Sequence, residues 1–367
     1  MITQPDRVEA ALAAFARGEI IVVVDDDDRE NEGDLILAAV HATPEKLAFI
    51  LRHTSGIVCA PITAAIAARL QLPQMVEKND DPHATAFTVS VDYRHGTTTG
   101  ISADDRTATV RNLANSNSGA ADFVKPGHIF PLVAREGGVL VRSGHTEAAV
   151  DLCRMAGLAP VGVICELMNE DGTVKRGAQV AAFAAGHGLQ VVSVADIIAF
   201  RQRREKLVER VAEQEVATSA GPARMITYAT QLDPWQHLAV VFGDLGDGLA
   251  VPVRIHREDV VRDVFAGKDP LAGTLPRLAT RGVVIYLREG AVGVARSGAR
   301  ARDLIEAEGT DHHESAERRA DEWREIGLGA QILRDLGVRS IRLLSTKPRR
   351  YVGLEGFGIA IEATEPL

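Results

Sequence analysis

Apolar and polar positions alternate along the first half of the chain in blocks that predict a mixed α/β fold. Val8, Ala11, Leu12 and Phe15 recur at the spacing of one helix face, which predicts an amphipathic first helix. Strand-like aliphatic runs lie over residues 20–24, 35–40, 57–62, 86–91, 139–141, 161–167 and 189–194. Helical patterns lie over residues 44–53, 102–115, 146–156 and 177–188. Strands and helices mixed in this way predict one α/β or α+β domain over residues 1–203.

The pattern changes near residue 201. Residues 201–215 are dense in charge, and residues 217–222 are small, polar and end in proline. We interpret residues 204–223 as a charged helix tail followed by a linker. Strand-like runs then resume over residues 225–230, 238–242, 251–255, 283–287, 341–344 and 358–362. They predict a second α/β domain over residues 224–367.

Composition narrows the class of protein. With 367 residues, of which 46% are hydrophobic, the chain can bury two cores. A net charge of −9 argues against nucleic acid as the main partner. The three cysteines form no Cys-x-x-Cys pair, so they indicate neither a disulfide framework nor a zinc site. The sequence has no targeting pattern and no apolar stretch of membrane-spanning length, which predicts a soluble cytoplasmic protein with no membrane partner.

An acidic loop separates the first two predicted strands. Residues 25–34 read Asp-Asp-Asp-Asp-Arg-Glu-Asn-Glu-Gly-Asp, and seven of these ten residues carry carboxylates. Carboxylates this close repel one another unless a cation lies among them. Hard oxygen ligands held between two strands suit Mg²⁺ or Mn²⁺. The alternative is a solvated acidic turn with no ligand.

The sequence Asp-Arg-Glu-Asn-Glu-Gly-Asp over residues 28–34 resembles the signature loop of 3,4-dihydroxy-2-butanone 4-phosphate synthase. Five further blocks resemble the same family in the same order, at residues 81–92, 98–106, 126–132, 142–148 and 164–166. Six ordered blocks are far more specific than one short motif. The resemblance implies a lyase of riboflavin biosynthesis that converts D-ribulose 5-phosphate to 3,4-dihydroxy-2-butanone 4-phosphate and formate, and a homodimer.

The resemblance also implies roles for individual residues. It implies that Glu30 bridges two divalent ions, Mg²⁺ or Mn²⁺, and that His145 binds one of them. It implies that Glu166 is an essential acid/base and that His128 moves a proton or orients the group that does. The family's substrate-binding positions fall on Arg29, Glu30, Asp34, Arg142, Ser143, Gly144, His145, Thr146 and Glu166.

The residue pattern around His145 agrees with a phosphate site. Gly144 and Thr146 flank His145 at the start of a predicted helix, where free backbone N–H groups favour an anion. Arg142 can add a forked contact to the same phosphate. We therefore predict that residues 142–146 bind the phosphate, with His145 turned toward the metal.

Other interpretations of these residues stay open at this point. Arg29 can form a salt bridge within the acidic loop, and this role is compatible with substrate binding. Taken without the family, Glu166 is equally a surface carboxylate at a strand end. A lone histidine at a strand-to-helix junction, such as His145, is more often a capping or packing residue. Ser102 as a helix cap explains part of the preceding loop. Three more residues in or beside that loop complete the substrate pocket in our interpretation: Thr98, Thr99 and Arg106.

Residues 224–367 resemble GTP cyclohydrolase II, for example in Val-Arg-Ile-His at residues 253–256. That family holds a zinc ion with three cysteines. The matching positions here are Asp259, Pro270 and Ala272, a set that cannot hold tetrahedral zinc. We expect no zinc and no cyclohydrolase activity. The adjacent histidines at residues 312–313 point apart in any regular structure and are interpreted as solvated.

Three hypotheses follow for the whole chain. The first is a synthase that acts on a small sugar phosphate and carries an inactive cyclohydrolase-like domain. The second is a bifunctional enzyme with an altered second metal site. The third is a nucleotide-sensing regulator with residual motifs, which has little need for an acidic loop, His145 and Glu166 together.

Overall fold

The computed structural model of the chain describes residues 4–25, 31–81, 83, 85–232, 234–259, 261–265, 271–288, 327–345 and 359–367. The chain divides into two compact units, Met1–Phe200 and Arg201–Leu367. Within the described ranges, no helix has both the length and the apolar character needed to span a bilayer. The two units are described separately.

The first unit contains a mixed seven-stranded sheet with the strand order β4-β5-β3-β6-β2-β1-β7. Its strands are β1 Ile21–Val24, β2 Gly33–Ala38, β3 Cys59–Ile62, β4 Val91–Tyr93, β5 Phe123–Val133, β6 Gly162–Glu166 and β7 Val191–Ser193. The pairs β1–β7 and β3–β5 are parallel, and the other adjacent pairs are antiparallel. A mixed sheet matches the α/β class predicted for this part of the chain.

The helices of the first unit are α1 Gln4–Ala16, α2 Pro44–His53, α3 Ala64–Arg69, α4 Ala103–Leu113, α5 His145–Met155, α6 Ala178–His187 and α7 Val194–Arg204. Short 3-10 helices lie at Ala39–His41, Ala120–Asp122 and Gly138–Leu140. Three helices of the first unit, α2, α3 and α4, begin after a residue whose side chain caps them. Thr43 accepts a hydrogen bond from the backbone N–H of Lys46, and Ser102 accepts one from Asp105.

The core of the first unit fixes the strands that carry the candidate site. Every residue of β2 is buried, and so are the first four residues of β6. Leu35 and Leu37 of β2 belong to the same apolar cluster as Val163 and Cys165 of β6. Helix α5 packs against both strands. Because side chains in a close-packed core have little freedom, the ends of β2 and β6 are held in fixed positions.

Three predictions for the first unit are wrong in detail. Residues 86–91 were expected to form a strand, but β4 covers Val91–Tyr93, and residues 87 and 88 form only isolated bridges. Residues 139–141 were expected to form a strand, but they lie in and beside the 3-10 helix Gly138–Leu140. The backbone N–H of Val139 donates to the buried Asp151 carboxylate at 2.8 Å instead of to a sheet. Strand β5 was not predicted, because it contains Pro126, Gly127 and Pro131, which ordinarily interrupt strands.

The second unit contains another mixed seven-stranded sheet, in the order β14-β13-β11-β12-β10-β9-β8. Its strands are β8 Val208–Thr218, β9 Gly221–Thr230, β10 His237–Phe242, β11 Val251–Arg257, β12 Gly282–Leu287, β13 Ser340–Ser345 and β14 Ala360–Pro366. A π-helical turn Val261–Phe265, helix α8 Leu275–Leu278 and helical residues 327–335 accompany it. The prediction of a second α/β domain is confirmed.

The interpretation of residues 204–223 as a helix tail and linker is wrong for most of its length. Strand β8 occupies Val208–Thr218 and pairs antiparallel with β9. Thr218 pairs with Gly221, so the small polar residues between them form a hairpin turn. Because β8 is an edge strand, its charged side chains face solvent, and this charge pattern resembles a solvated linker in sequence.

A hydrogen-bonded carboxylate in the second unit makes its stability depend on pH. Asp335 Oδ2 accepts hydrogen bonds from the hydroxyl of the fully buried Tyr228 at 2.7 Å and from Arg210 Nη2 at 2.8 Å. Burial raises the pKa of Asp335, but the hydrogen bonds from Tyr228 and Arg210 outweigh it and hold the pKa below 3.8. The ionised carboxylate is therefore favoured more in the folded state than in the unfolded state.

We expect acid to destabilise the second unit through Asp335. Its contribution is complete above pH 3.8 and is lost as the pH falls through the lowered pKa of the folded state. Asp335→Asn should lower stability at neutral pH by about 1 kcal/mol and reduce the loss on acidification. Urea unfolding followed by tryptophan fluorescence tests this, because both tryptophans, Trp235 and Trp323, belong to this unit. An equal acid sensitivity in wild type and variant would contradict it.

Candidate active site

Two carboxylates face each other where two neighbouring inner strands of the first sheet, β2 and β6, begin and end. Asp34 of β2 and Glu166 of β6 are direct partners in the antiparallel register. Side chains of opposed residues in an antiparallel pair lie on the same face of the sheet. Asp34 is buried and Glu166 is half-buried. The strands thus bring together two predicted site residues that are far apart in sequence.

His145 lies beside the same pair of strands. It is the first residue of α5, and its Nδ1 is 3.9 Å from Asp34 Oδ1. The two side chains are only 6% and 4% exposed, so water screens their interaction little. The structure thus brings together Glu166, Asp34 and His145, three residues that sequence reasoning assigned to one site.

Hydrogen bonds hold the two ends of the acidic loop. The backbone N–H of Glu32 donates to Asp25 Oδ1 at 2.9 Å, just where β1 and β2 separate. Arg176 donates to the Glu32 carboxylate at 2.9 Å and anchors the second end. Residues 26–30, which include Arg29 and Glu30, lie outside the described residues. Their predicted roles therefore stay predictions.

His145 and Asp34 provide an imidazole and a carboxylate, both of which can bind a divalent ion. Imidazole and carboxylate donors of the kind that His145 and Asp34 present suit Mn²⁺, and Mg²⁺ needs only one or two carboxylates beside water and substrate oxygens. Within the described part of the chain, no group of three or more His, Cys, Asp or Glu side chains is placed to hold a metal ion. Completion of a metal site by Glu30, which lies outside the described residues, stays a prediction.

Ser55 is a site residue that sequence reasoning missed. Its hydroxyl donates to Glu166 Oε2 at 2.7 Å, and its backbone N–H donates to the Glu166 carbonyl at 2.9 Å. A carboxylate that accepts a hydroxyl hydrogen bond is held in one orientation. Ser55 follows helix α2 and contacts Glu166 only through the fold, so no local pattern could have identified it.

The three cysteines take no part in this chemistry. Cys59, Cys153 and Cys165 are free and buried. Burial raises the pKa of Cys153 to about 12 and that of Cys165 to about 11, and it holds the pKa of Cys59 well above the usual range of a thiol. Since only thiolates are good nucleophiles and ligands, these side chains behave as small apolar groups.

Arg142 has protein partners in addition to any phosphate. Its Nη1 lies 2.6 Å from Glu147 Oε2, and its Nη2 donates to the carbonyl of His83 at 3.1 Å. A Cβ atom on Gly144 would lie 2.4 Å from Arg142 Nη1, so a larger residue there would displace the guanidinium. The guanidinium is therefore held in place by its protein contacts, which leaves it oriented beside the start of α5.

The first turn of α5 has no side-chain cap. Gly144 is the N-cap residue, and it follows Ser143 and precedes His145 and Thr146. His145 and Thr146 are buried at the helix start. A helix N-terminus without a side-chain acceptor presents backbone N–H groups and the positive end of the helix dipole. This arrangement is the one expected of an anion site.

Two of the three residues predicted to complete the substrate pocket, Thr98 and Arg106, form hydrogen bonds within the protein. The backbone N–H and hydroxyl of Thr98 both donate to Asp105, at 3.0 and 2.7 Å, and Thr99 is exposed. Arg106 is buried and donates to the carbonyl of Gly56 at 2.7 Å. Because Gly56 adjoins Ser55, Arg106 supports the segment that orients Glu166.

His128 lies on β5 with Asp92 of β4 as its partner, at 2.7 Å between His128 Nδ1 and Asp92 Oδ2. Arg106, which contacts the segment that holds Glu166, has a pKa lowered by burial.

Comparison with known proteins decides the family. Residues 9–200, more than half of the chain, match the family model of 3,4-dihydroxy-2-butanone 4-phosphate synthase. The chain belongs to the 3,4-dihydroxy-2-butanone 4-phosphate synthase family. Residues 209–366 match the family model of GTP cyclohydrolase II. Both resemblances found in the sequence are confirmed.

Relatives of this synthase-family chain include the bifunctional riboflavin biosynthesis protein RIBA 1, chloroplastic, of Arabidopsis thaliana. It is 46% identical over 374 residues, which cover 98% of this chain and 68% of that protein. The riboflavin biosynthesis protein RibBA of Nocardia farcinica is 46% identical over 384 residues, which cover 100% of this chain and 91% of that protein.

Two solved structures are also similar. RibBX, a two-domain 3,4-dihydroxy-2-butanone 4-phosphate synthase from A. baumannii, is 36% identical with a TM-score of 0.82, over 98% of this chain and 99% of that chain. A 3,4-dihydroxy-2-butanone 4-phosphate synthase in complex with two magnesium ions is 46% identical with a TM-score of 0.53, over 54% of this chain and 98% of that chain. The family contains two-domain members, named for one activity or for two.

The second half of this family member departs from a zinc site. No cysteine occurs in the sequence after Cys165. Of the three positions that match the zinc ligands, Pro270 lies outside the described residues, as do residues 312–313. Near Asp259, the His256 ring lies 3.0 Å from the Asp263 carboxylate, which is a hydrogen-bonded pair rather than a set of thiolates.

Proposed function

We propose that this protein converts D-ribulose 5-phosphate to L-3,4-dihydroxy-2-butanone 4-phosphate and formate in riboflavin biosynthesis. The observation that carries the proposal is the placement of Asp34, Glu166 and His145 together, at the ends of β2 and β6 and the start of α5. The reaction removes one carbon, two hydrogens and two oxygens as formic acid, so no external oxidant or reductant is needed. It needs proton transfer, charge stabilisation and a phosphate site.

The proposal includes a divalent ion, Mg²⁺ or Mn²⁺. By analogy with the related synthase that binds two magnesium ions, two such ions would be bound. Glu30 and His145 would hold them. When bound, such an ion polarises neighbouring carbonyl and hydroxyl oxygens. Asp34, whose carboxylate adjoins His145, is placed to accept hydrogen bonds from the sugar hydroxyls, and Arg29 adds a positive charge to the same loop.

Proton transfer falls to Glu166 and His128. The Ser55 hydroxyl donates to Glu166 Oε2 and leaves Oε1 to take a proton from substrate carbon or oxygen. His128 is held at Nδ1 by Asp92, and its side chain is 41% exposed. An exposed imidazole with one nitrogen fixed can exchange protons at the other nitrogen.

The phosphate would lie at the start of α5. The N–H groups of residues 145 and 146 provide donors there, and the helix dipole favours the negative charge. Arg142, oriented by Glu147 and the carbonyl of His83, supplies a nearby cation, and Ser143 supplies a hydroxyl. Two such chains form a homodimer in this proposal, which rests on the family resemblance.

Incubation of the purified protein with ribulose 5-phosphate and Mg²⁺, followed by proton NMR, tests the proposed function. Formate should accumulate in proportion to enzyme, and excess EDTA should stop it. Mn²⁺ should restore activity to the chelated protein. A wild-type protein that releases no formate with either metal would contradict the proposal.

We also propose that the second domain does not hydrolyse GTP, since it lacks every cysteine that would hold zinc. The expected result is that GTP with Zn²⁺ yields no formate and no pyrophosphate. A GTP cyclohydrolase II whose domain keeps the three cysteines serves as the positive control. Turnover of GTP would favour the bifunctional alternative. GTP-dependent change in formate release from ribulose 5-phosphate would instead favour a regulatory domain.

A further inference from the structure

The imidazole of His128 lies at an irregularity in the sheet. The register between β4 and β5 shifts between Val91 and Asp92, so residues 125–128 of β5 bulge out of the ladder. Bulges turn side chains in directions that a regular strand does not allow. His128 is the last residue of this bulge, and Asp92 is the strand residue beside it.

One carboxylate fixes both the backbone and the ring of His128. Asp92 Oδ1 accepts the backbone N–H of His128 at 2.8 Å, and Oδ2 lies 2.7 Å from its Nδ1. The Asp92 side chain is 12% exposed, whereas the His128 side chain is 41% exposed. A buried acceptor thus holds one edge of a ring whose remaining surface is accessible.

Two glycines leave room for this contact. Gly100 has a φ of +88°, and a Cβ atom there would lie 2.0 Å from Asp92 Oδ2 and 2.6 Å from His128 Nδ1. A Cβ atom on Gly127 would lie 2.1 Å from the carbonyl carbon of Val91. No larger residue fits at either position without moving the pair. The backbone around the Asp92–His128 contact is therefore built to accommodate it.

The contact determines which nitrogen of the ring carries the hydrogen. A carboxylate only accepts hydrogen bonds, so Nδ1 of His128 must donate to Asp92. The neutral ring then has its lone pair at Nε2. A ring in this tautomer can take a proton at Nε2, and the positive charge that results lies beside the Asp92 carboxylate.

We propose that Asp92 is a positioning residue that holds His128 in the tautomer with Nε2 as the proton acceptor. This inference rests on the proposed function, in which His128 moves a proton during formate release. In this proposal Asp92 acts through His128.

Asp92→Asn in the full-length protein tests this. The asparagine oxygen can still accept the His128 backbone N–H, but its amide group then donates toward Nδ1 and shifts the ring hydrogen to Nε2. We expect kcat for formate release to fall by roughly a hundredfold or more, with KM little changed. A double variant that also carries His128→Asn should lose no more activity than His128→Asn alone.

Nitrogen-15 NMR of histidine-labelled protein gives a readout that does not depend on turnover. The His128 signals, assigned by their loss in His128→Asn, should show a hydrogen at Nδ1 in the wild type. In Asp92→Asn they should show a hydrogen at Nε2. A wild-type ring with its hydrogen at Nε2 would overturn the proposal without any Asp92 variant.

The pair His95 and Asp122 provides a matched control. Its Nε2–Oδ1 distance is 3.0 Å, and both side chains are more exposed than those of the proposed pair. Asp122→Asn should keep the wild-type kcat. The proposal for Asp92 fails if Asp92→Asn keeps the wild-type kcat or tautomer, or if the double variant shows additive losses. Absence of formate release by the wild type would instead refute the proposed function, and the NMR result would still report on the contact.

Discussion

Glu166→Gln is expected to reduce kcat for formate release by roughly 10²- to 10⁴-fold, the usual contribution of a positioned proton-transfer group. Glutamine has nearly the same shape and can still accept the hydrogen bond from the Ser55 hydroxyl. Its side-chain oxygen cannot take up and return a proton at neutral pH. Substrate binding should therefore persist, with KM little changed. Steady-state assays with ribulose 5-phosphate and Mg²⁺ measure both constants.

Glu170→Gln is the matched control for this variant. Glu170 is exposed in a turn four residues after Glu166. Its replacement removes the same charge from the same segment without removing a site carboxylate. We expect its kcat to equal that of the wild type. If Glu166→Gln were as active as Glu170→Gln, Glu166 would have no role in proton transfer.

His145→Ala is expected to abolish detectable formate release and to weaken Mg²⁺ or Mn²⁺ binding by more than about a hundredfold, since even loss of an outer-shell partner costs tenfold to a hundredfold. The imidazole is buried beside Asp34. Calorimetric titration of the metal-free protein with Mn²⁺ measures affinity without relying on activity. Glu30→Ala should give the same two losses.

His187→Ala controls for the loss of a histidine from the same unit. His187 is the last residue of α6 and is exposed. Both its metal affinity and its kcat should match the wild type. Circular dichroism should show that His145→Ala keeps the fold. Wild-type Mn²⁺ affinity in a folded His145→Ala protein would exclude His145 as a metal ligand.

Secondary structure was predictable where local rules suffice. Helix α2 was predicted with its observed bounds, because Thr43 caps it, Pro44 starts it and its apolar residues keep one spacing. Helix α5 differs from its prediction by one residue at each end. Strand β8 was not predicted, because it is a strand through its pairing with β9 and not through apolar alternation. Pairing is a long-range property that a local pattern does not contain.

The candidate site was predictable from the family motifs but not from spacing. Nothing in the sequence states that Asp34 and Glu166 become register partners, or that Ser55 reaches Glu166. The pairing of Asp92 with His128 depends on a bulge in β5, whose position follows from packing against β4. Such contacts are decided when the sheet forms.

The most direct test of the proposed function uses ribulose 5-phosphate labelled with carbon-13 at C4 alone, because the resemblance to the synthase family implies that C4 is the carbon lost as formate. The account predicts that carbon-13 NMR will show the label entirely in formate, released only when Mg²⁺ or Mn²⁺ is present, and an unlabelled four-carbon phosphate product. Label retained in the four-carbon product, or no labelled formate at all from folded wild-type protein, would contradict it.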